Sequence, residues 1–162
     1  MAIRSDEYYM KCALRYARKA DALGEVPIGA IVVSDNGAII GRGYNCVERL
    51  HNVQEHAELR ALRQATKKQG DWRLYNTTIY VTLEPCPMCF NAIFLSRCSR
   101  IVFGATSPLF GFHLDKNLSS LVYTKHIKSI EGGMCGQESQ VLLKRFFKQK
   151  RGEEDVKGNK CG

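Results

Sequence analysis

Between residues 56 and 104 the chain alternates helix, strand, helix and strand, with short connections, and that alternation limits the folds open to it. A helix is expected from about His56 to Lys68. Asn76-Thr-Thr-Ile-Tyr-Val-Thr-Leu83 is rich in β-branched residues and reads as a strand. Glu84-Pro85 stops it, a helix follows from about Pro87 to Ser96, and Arg100-Ile-Val-Phe-Gly104 makes the next strand. Upstream, Ser5 can cap a first helix whose apolar stripe (Tyr9, Met10, Ala13, Leu14, Ala17, Ala20) ends near Gly24. Asn36-Gly37 between the apolar runs 29–34 and 38–41 signals a hairpin. A loop is expected from Arg42 to Glu55. Downstream, His126–Ile130 reads as an edge strand and Gln137–Lys150 as the last helix. Strands alternating with helices predict an α/β fold, a three-layer α/β/α sandwich around a mixed five-stranded sheet.

The chain of 162 residues has room for one such domain, expected over 1–151, with 152–162 as a disordered tail. Its 44% apolar and 25% charged residues are those of an ordinary globular protein. No apolar run approaches a membrane span, and residues 1–9 lack a signal-peptide core, so a cytoplasmic protein is expected. The net charge of +8 favours a polyanionic partner. Seven cysteines with irregular spacing and no secretion signal argue against a disulfide framework. Cys12, Cys46, Cys98, Cys135 and Cys161 read as packing residues or inert thiols.

Cys86 and Cys89 stand apart, in Pro85-Cys86-Pro87-Met88-Cys89. Two cysteines three apart on one helical turn point to one side, so both sulfurs can reach one ion. Pro87 suits the first helical position, and a helix N-terminus favours thiolate over thiol. One CxxC does not fill a tetrahedral site, and the sequence has no second one. His56, in His56-Ala57-Glu58, supplies a third ligand and leaves the fourth position to water, the pattern of a catalytic zinc. Zinc lowers the pKa of its water, and Glu58 is the candidate to move the protons. Taken singly, His56 is an ordinary helix-start histidine, Glu58 a first-turn carboxylate and the CxxC a redox pair or half of a zinc ribbon. His-x-Glu together with Pro-Cys-x-x-Cys is the signature of zinc nucleobase deaminases.

Over about residues 6–151 the chain also resembles the bacterial tRNA-specific adenosine deaminases. The likeness includes Glu25-Val-Pro-Ile-Gly-Ala30, Gly43-Tyr-Asn45, His56-Ala-Glu58, Gly70-Asp-Trp-Arg-Leu74, Tyr80–Cys89 and Val102-Phe-Gly-Ala105. It implies a cytidine-deaminase-like fold, one Zn2+ per subunit and a homodimer. The partner it implies is a tRNA anticodon stem-loop, whose wobble adenosine becomes inosine; no DNA or membrane partner is expected. By the same likeness, Asn45 hydrogen-bonds the flipped base, and Val26 and Pro27 form part of its pocket. The likeness also implies that Phe147 and Arg151 contact the RNA. Lys144-Arg-Phe-Phe-Lys-Gln-Lys-Arg151 interleaves aromatics with cations, as base stacking and phosphate binding require. The spacing of Leu143, Phe146 and Phe147 is equally that of a core face.

One stretch departs from the family. After Ala105 the family carries Asp-x-Lys-x-Gly, whereas this chain reads Thr106-Ser-Pro-Leu-Phe-Gly-Phe-His113. Phe110, Phe112 and His113 either stack on a base or pack. Two alternatives therefore stand beside the tRNA reading. One is a deaminase of a free base or nucleoside, of guanine or cytosine type, which shares both motifs. The other is a non-catalytic RNA-binding subunit with a structural zinc, against which the retained Glu58 argues.

Overall fold

Ser5 starts the first helix as expected: its Oγ accepts the Tyr8 N–H at 3.2 Å, and Asp6 and Glu7 sit in the first turn, where negative charge complements the helix dipole. The computed structural model describes residues 3–116 and 126–158. Helix α1 spans Asp6–Ala22, followed by strands β1 (Gly29–Val33) and β2 (Ile39–Tyr44), with Gly37 at φ 81° in the turn between them. Strand β2 runs beyond the expected Gly41 because Gly43 and Tyr44 pair with Ala30 and Gly29. The expected loop from residue 42 therefore begins later, and it also holds the short helix α2 (Val47–Leu50). Helix α3 (Ala57–Gln69), strand β3 (Thr78–Leu83), helix α4 (Pro87–Leu95) and strand β4 (Arg100–Ala105) lie close to their expected bounds. A 3-10 turn at Phe112–Leu114, strand β5 (Ser129–Glu131) and helix α5 (Gly136–Gly158) complete the order.

The sheet order is β2-β1-β3-β4-β5. Strand β1 is antiparallel to β2 and β3, while β3, β4 and β5 run parallel. The mixed five-stranded sheet read from the sequence is thus present. Alternate side chains of each strand face opposite layers. Ala30, Val32, Val81 and Ile101 pack with Ala57 and Ala61 of α3 and Phe90 of α4. Ile31, Val33, Tyr80 and Val102 pack with Tyr9, Met10 and Ala13 of α1. Leu142 brings α5 onto Leu14 and Ala17 of α1, closing the third layer.

Arg100 ties strands to helix at the far edge. Its guanidinium binds Asp6 at 2.7 and 2.8 Å and Glu131 at 2.7 and 2.9 Å, and Tyr80 donates to Asp6 at 2.6 Å. The guanidinium holds the Asp6 carboxyl below the usual carboxylate range, against partial burial.

The tail expected to be disordered from residue 152 is helical as far as Gly158. Helix-forming Glu and Lys residues outweigh one solvent-facing glycine, and Lys150 pairs with Glu153 at 3.5 Å. Residues 159–162, with Cys161, lie outside the described residues.

This topology positions the site. The parallel strands β3 and β4 end side by side, with Leu83 opposite Ala105. Strand β1 is antiparallel to β3, so the residues that precede it reach the same edge, as does the end of β2. Segments 25–28, 44–48, 84–89 and 105–113 therefore converge where open α/β sheets place ligands, outside the carboxyl ends of parallel strands.

Candidate active site

His56 is the N-cap of α3, and Glu58 lies buried in that helix's first turn. Cys86 is the N-cap of α4, with Pro87 following and Cys89 one turn on. The two helix starts meet. His56 Nδ1 lies 3.3 Å from Cys89 Sγ and 3.8 Å from Cys86 Sγ. One tetrahedral zinc, with Zn–N about 2.0 Å and Zn–S about 2.3 Å, sets such N···S separations near ~3.5 Å. The observed pair brackets that value. The three donor atoms lie within 4.8 Å of one another, and among the described residues they form the one such group. Two sulfurs and an imidazole are also the donor types zinc favours. The residues present fit the ion.

The electrostatics of the donors agree. The Cys89 thiol and His56 donate toward Cys86 and hold its pKa down to about 4, against burial. Cys89 is shifted upward by that same bond with Cys86 and by burial, so it keeps its proton until a metal displaces it. His56 is shifted upward, chiefly by Cys86, although the Cys89 sulfur is nearer; the negative charge sits on Cys86. Burial pushes the Glu58 carboxyl up to about 7, while its own backbone N–H and His56 pull it down. A carboxyl balanced near neutrality both takes and returns protons.

A cavity of about 1150 Å³ opens over His56 and Glu58. Of the residues singled out in the sequence, Val26, Asn45, Phe147 and Arg151 stand on its wall. Pro27 does not: it is buried beneath the wall, and the next residue, Ile28, lines the cavity instead. The two phenylalanines of α5 separate in the same way. Phe146 is packed inside, whereas Phe147 is 44% exposed at the cavity.

Two buried carboxylates that the sequence does not distinguish brace these walls. Glu25 is fully buried; its Oε2 accepts from Asn45 Nδ2 at 3.0 Å, and its Oε1 accepts from the Arg49 N–H at 2.7 Å. It therefore fixes the Asn45 amide with Nδ2 turned inward, and it holds the start of α2. Glu84, at the end of β3, accepts from the backbone of Ser107 at 3.0 Å and of His113 at 3.1 Å. The available signal for both is an acidic residue beside an apolar run, a pattern shared with many surface carboxylates.

A mixed sheet that brings one histidine, two cysteines and a buried glutamate together, with His56, Cys86 and Glu58 on the wall of one cavity, defines a zinc-dependent hydrolytic deaminase. Residues 3–105 match the cytidine and deoxycytidylate deaminase zinc-binding region. The tRNA-specific adenosine deaminase of Buchnera aphidicola is 42% identical over 155 residues, covering 91% of each chain. A solved structure from work on A-to-I editing by tRNA:A34 deaminases at the wobble position of transfer RNA has a TM-score of 0.78 at 37% identity. That match covers 84% of this chain and 99% of the other. A guanine deaminase from Nitrosomonas europaea superposes at TM-score 0.80 with 24% identity, over 90% of this chain and 86% of that one, a likeness of fold. The chain belongs to the zinc-dependent cytidine and deoxycytidylate deaminase family and, within it, to the tRNA-specific adenosine deaminases.

Proposed function

We propose that this chain hydrolyses adenosine to inosine and ammonia at the wobble position of a tRNA anticodon, acting in the cytoplasm as a homodimer. The observation that carries this reading is the continuity of the cavity. It joins His56 and Glu58 at its floor to Lys144, Phe147 and Arg151 on α5. Its volume of about 1150 Å³ exceeds what a free base requires, and the cationic, aromatic upper wall suits an RNA strand. The names and identities of the relatives support the same substrate. The homodimer rests on that likeness. No helix among the described residues is long and apolar enough to cross a membrane.

His56, Cys86 and Cys89 would hold the zinc, which supplies water acidic enough to attack at neutral pH. Glu58 takes one proton from the attacking water and gives it to the ring nitrogen. It then takes the second from the hydroxyl left on carbon 6 and gives it to the departing amine, so inosine and ammonia account for both. Asn45 presents its Oδ1 to the base, because Glu25 engages its Nδ2. Val26 and Ile28 give the ring an apolar wall. An anticodon loop is already single-stranded, so turning out its adenosine costs little unstacking.

The test offers the zinc-loaded protein an anticodon stem-loop with adenosine at the wobble position and, separately, guanine, cytosine and free adenosine. Inosine in the stem-loop alone is the expected result. Ammonia from a free base, with the stem-loop unchanged, would retain the zinc chemistry and overturn the substrate.

A further inference from the structure

Residues 106–113 form a loop held from beneath by Glu84. This side chain is 1% exposed. Besides the two backbone N–H groups it receives His113, whose Nδ1 lies 2.7 and 2.9 Å from its oxygens. The Phe110 N–H donates to Ser107 Oγ at 3.3 Å, and the Phe112 N–H to the Pro85 carbonyl at 2.9 Å. A Cβ on Gly111 would stand 2.6 Å from the Glu84 carboxyl carbon, so the carboxylate approaches as it does only because this residue is glycine. The loop is thus pinned at Ser107 and from Phe110 to His113.

The aromatic side chains of this loop part company. Phe112 turns inward and stacks on Phe90 with ring centroids 4.4 Å apart. Phe110 turns outward and is 72% exposed, beside Leu109 at 74%. Both line the cavity that holds His56 and Glu58. The same cavity is lined by Phe147, Lys144 and Arg151 of α5. Exposed aromatics on a pinned backbone, in a cavity that also carries cations, match the needs of single-stranded nucleic acid, whose bases stack on rings and whose phosphates meet Lys and Arg.

We propose that Phe110, presented by the Glu84-anchored loop, is a stacking platform for a base adjacent to the target adenosine in the RNA strand. The proposal rests on the RNA substrate proposed above.

The test measures inosine formation by zinc-loaded wild type, Phe110→Ala and Phe110→Trp on the intact stem-loop, and on stem-loops abasic at either neighbour of the target. Light scattering reports the oligomeric state of each variant. Phe110→Ala should raise KM about tenfold on the intact RNA, with kcat little changed, and Phe110→Trp should stay close to wild type. With one of the two abasic RNAs, the wild-type KM should rise to match that of Phe110→Ala. A KM for Phe110→Ala within about twofold of wild type would overturn the platform, as would a difference that persists on both abasic RNAs. Dissociation of the assembly by Phe110→Ala would overturn it in favour of a contact between copies. Failure of the wild type itself to form inosine in the intact stem-loop would refute the RNA reading, and this inference with it.

Discussion

Gly43 of β2 and Ala57 of α3 touch backbone to backbone: a methyl on Gly43 would collide with the Ala57 carbonyl oxygen and stand 2.7 Å from the Ala61 nitrogen. His56 and Glu58 flank Ala57 in the sequence. The place of His56 and Glu58, the proposed metal ligand and proton shuttle, is therefore set by a side chain that β2 lacks.

Gly43→Ala should push the first turn of α3 away from the sheet. Overpacking of this kind costs roughly 1–3 kcal/mol. Displacement of His56 and Glu58 by a fraction of an ångström should lower kcat by about tenfold or more. Thermal denaturation, zinc content and inosine formation measure the three effects, and a variant with wild-type turnover would contradict the relationship.

Glu58→Gln keeps the shape of a buried side chain and leaves His56, Cys86 and Cys89 in place. Zinc content and RNA affinity should remain near wild type while kcat falls by about 10²–10⁴. Metal analysis and single-turnover inosine formation decide the matter. Loss of zinc would show that Glu58 supports the ligands rather than moving protons.

Glu25→Gln replaces the charged acceptor of Asn45 Nδ2 and the Arg49 N–H with an amide. A hydrogen bond to a charged group contributes about 1.5–3 kcal/mol, so kcat/KM on the stem-loop should fall by roughly one to two orders of magnitude. Zinc content should not change, because Glu25 does not touch the ligands. An unaltered kcat/KM would remove Asn45 from base recognition or Glu25 from its support.

The Asp6–Arg100 pair makes stability depend on pH. The folded pKa of Asp6 is lowered, chiefly by its hydrogen bonds from Arg100, so its contribution is present above the unfolded carboxylate value of about 3.9. That contribution is lost as pH falls through the lower folded value. Asp6→Asn should therefore destabilise the fold near pH 7 by roughly 1–2 kcal/mol, a figure reduced for partial exposure of the pair. The difference from wild type should vanish under strongly acidic conditions. Urea titrations at several pH values would show it, and a constant difference would contradict the pairing.

The features legible in the sequence are those set by residues close together in the chain. Ser5 caps α1, Pro87 opens α4, and Cys86 and Cys89 share a turn, because capping and helical spacing act over three or four residues. The β-branched run at 77–83 and the Asn36-Gly37 turn mark the sheet for the same reason. Local signals of the same kind single out His56, Cys86 and Cys89 as the proposed zinc ligands and Glu58 as the proposed proton shuttle.

The rest was decided by contacts between distant segments. Glu25 meets Asn45 across 20 residues and Glu84 meets His113 across 29, and nothing beside either acid in the chain announces its partner. Val26 and Ile28 line the cavity while Pro27 between them is buried, because the packing of the 25–28 segment, and not residue type, determines which side chains face the opening. Phe110 and Phe112 are alike as residues, yet one stacks in the core and the other stands exposed. The 107–113 backbone, held to Glu84 and Pro85, decides which ring turns inward. The sequence alone pointed to the chemistry, through two short motifs, His56-x-Glu58 and Cys86-x-x-Cys89, each set by spacing within one helical turn. Only the tertiary structure decided the shape of the cavity around that chemistry, because its walls come from segments that meet only when the sheet assembles.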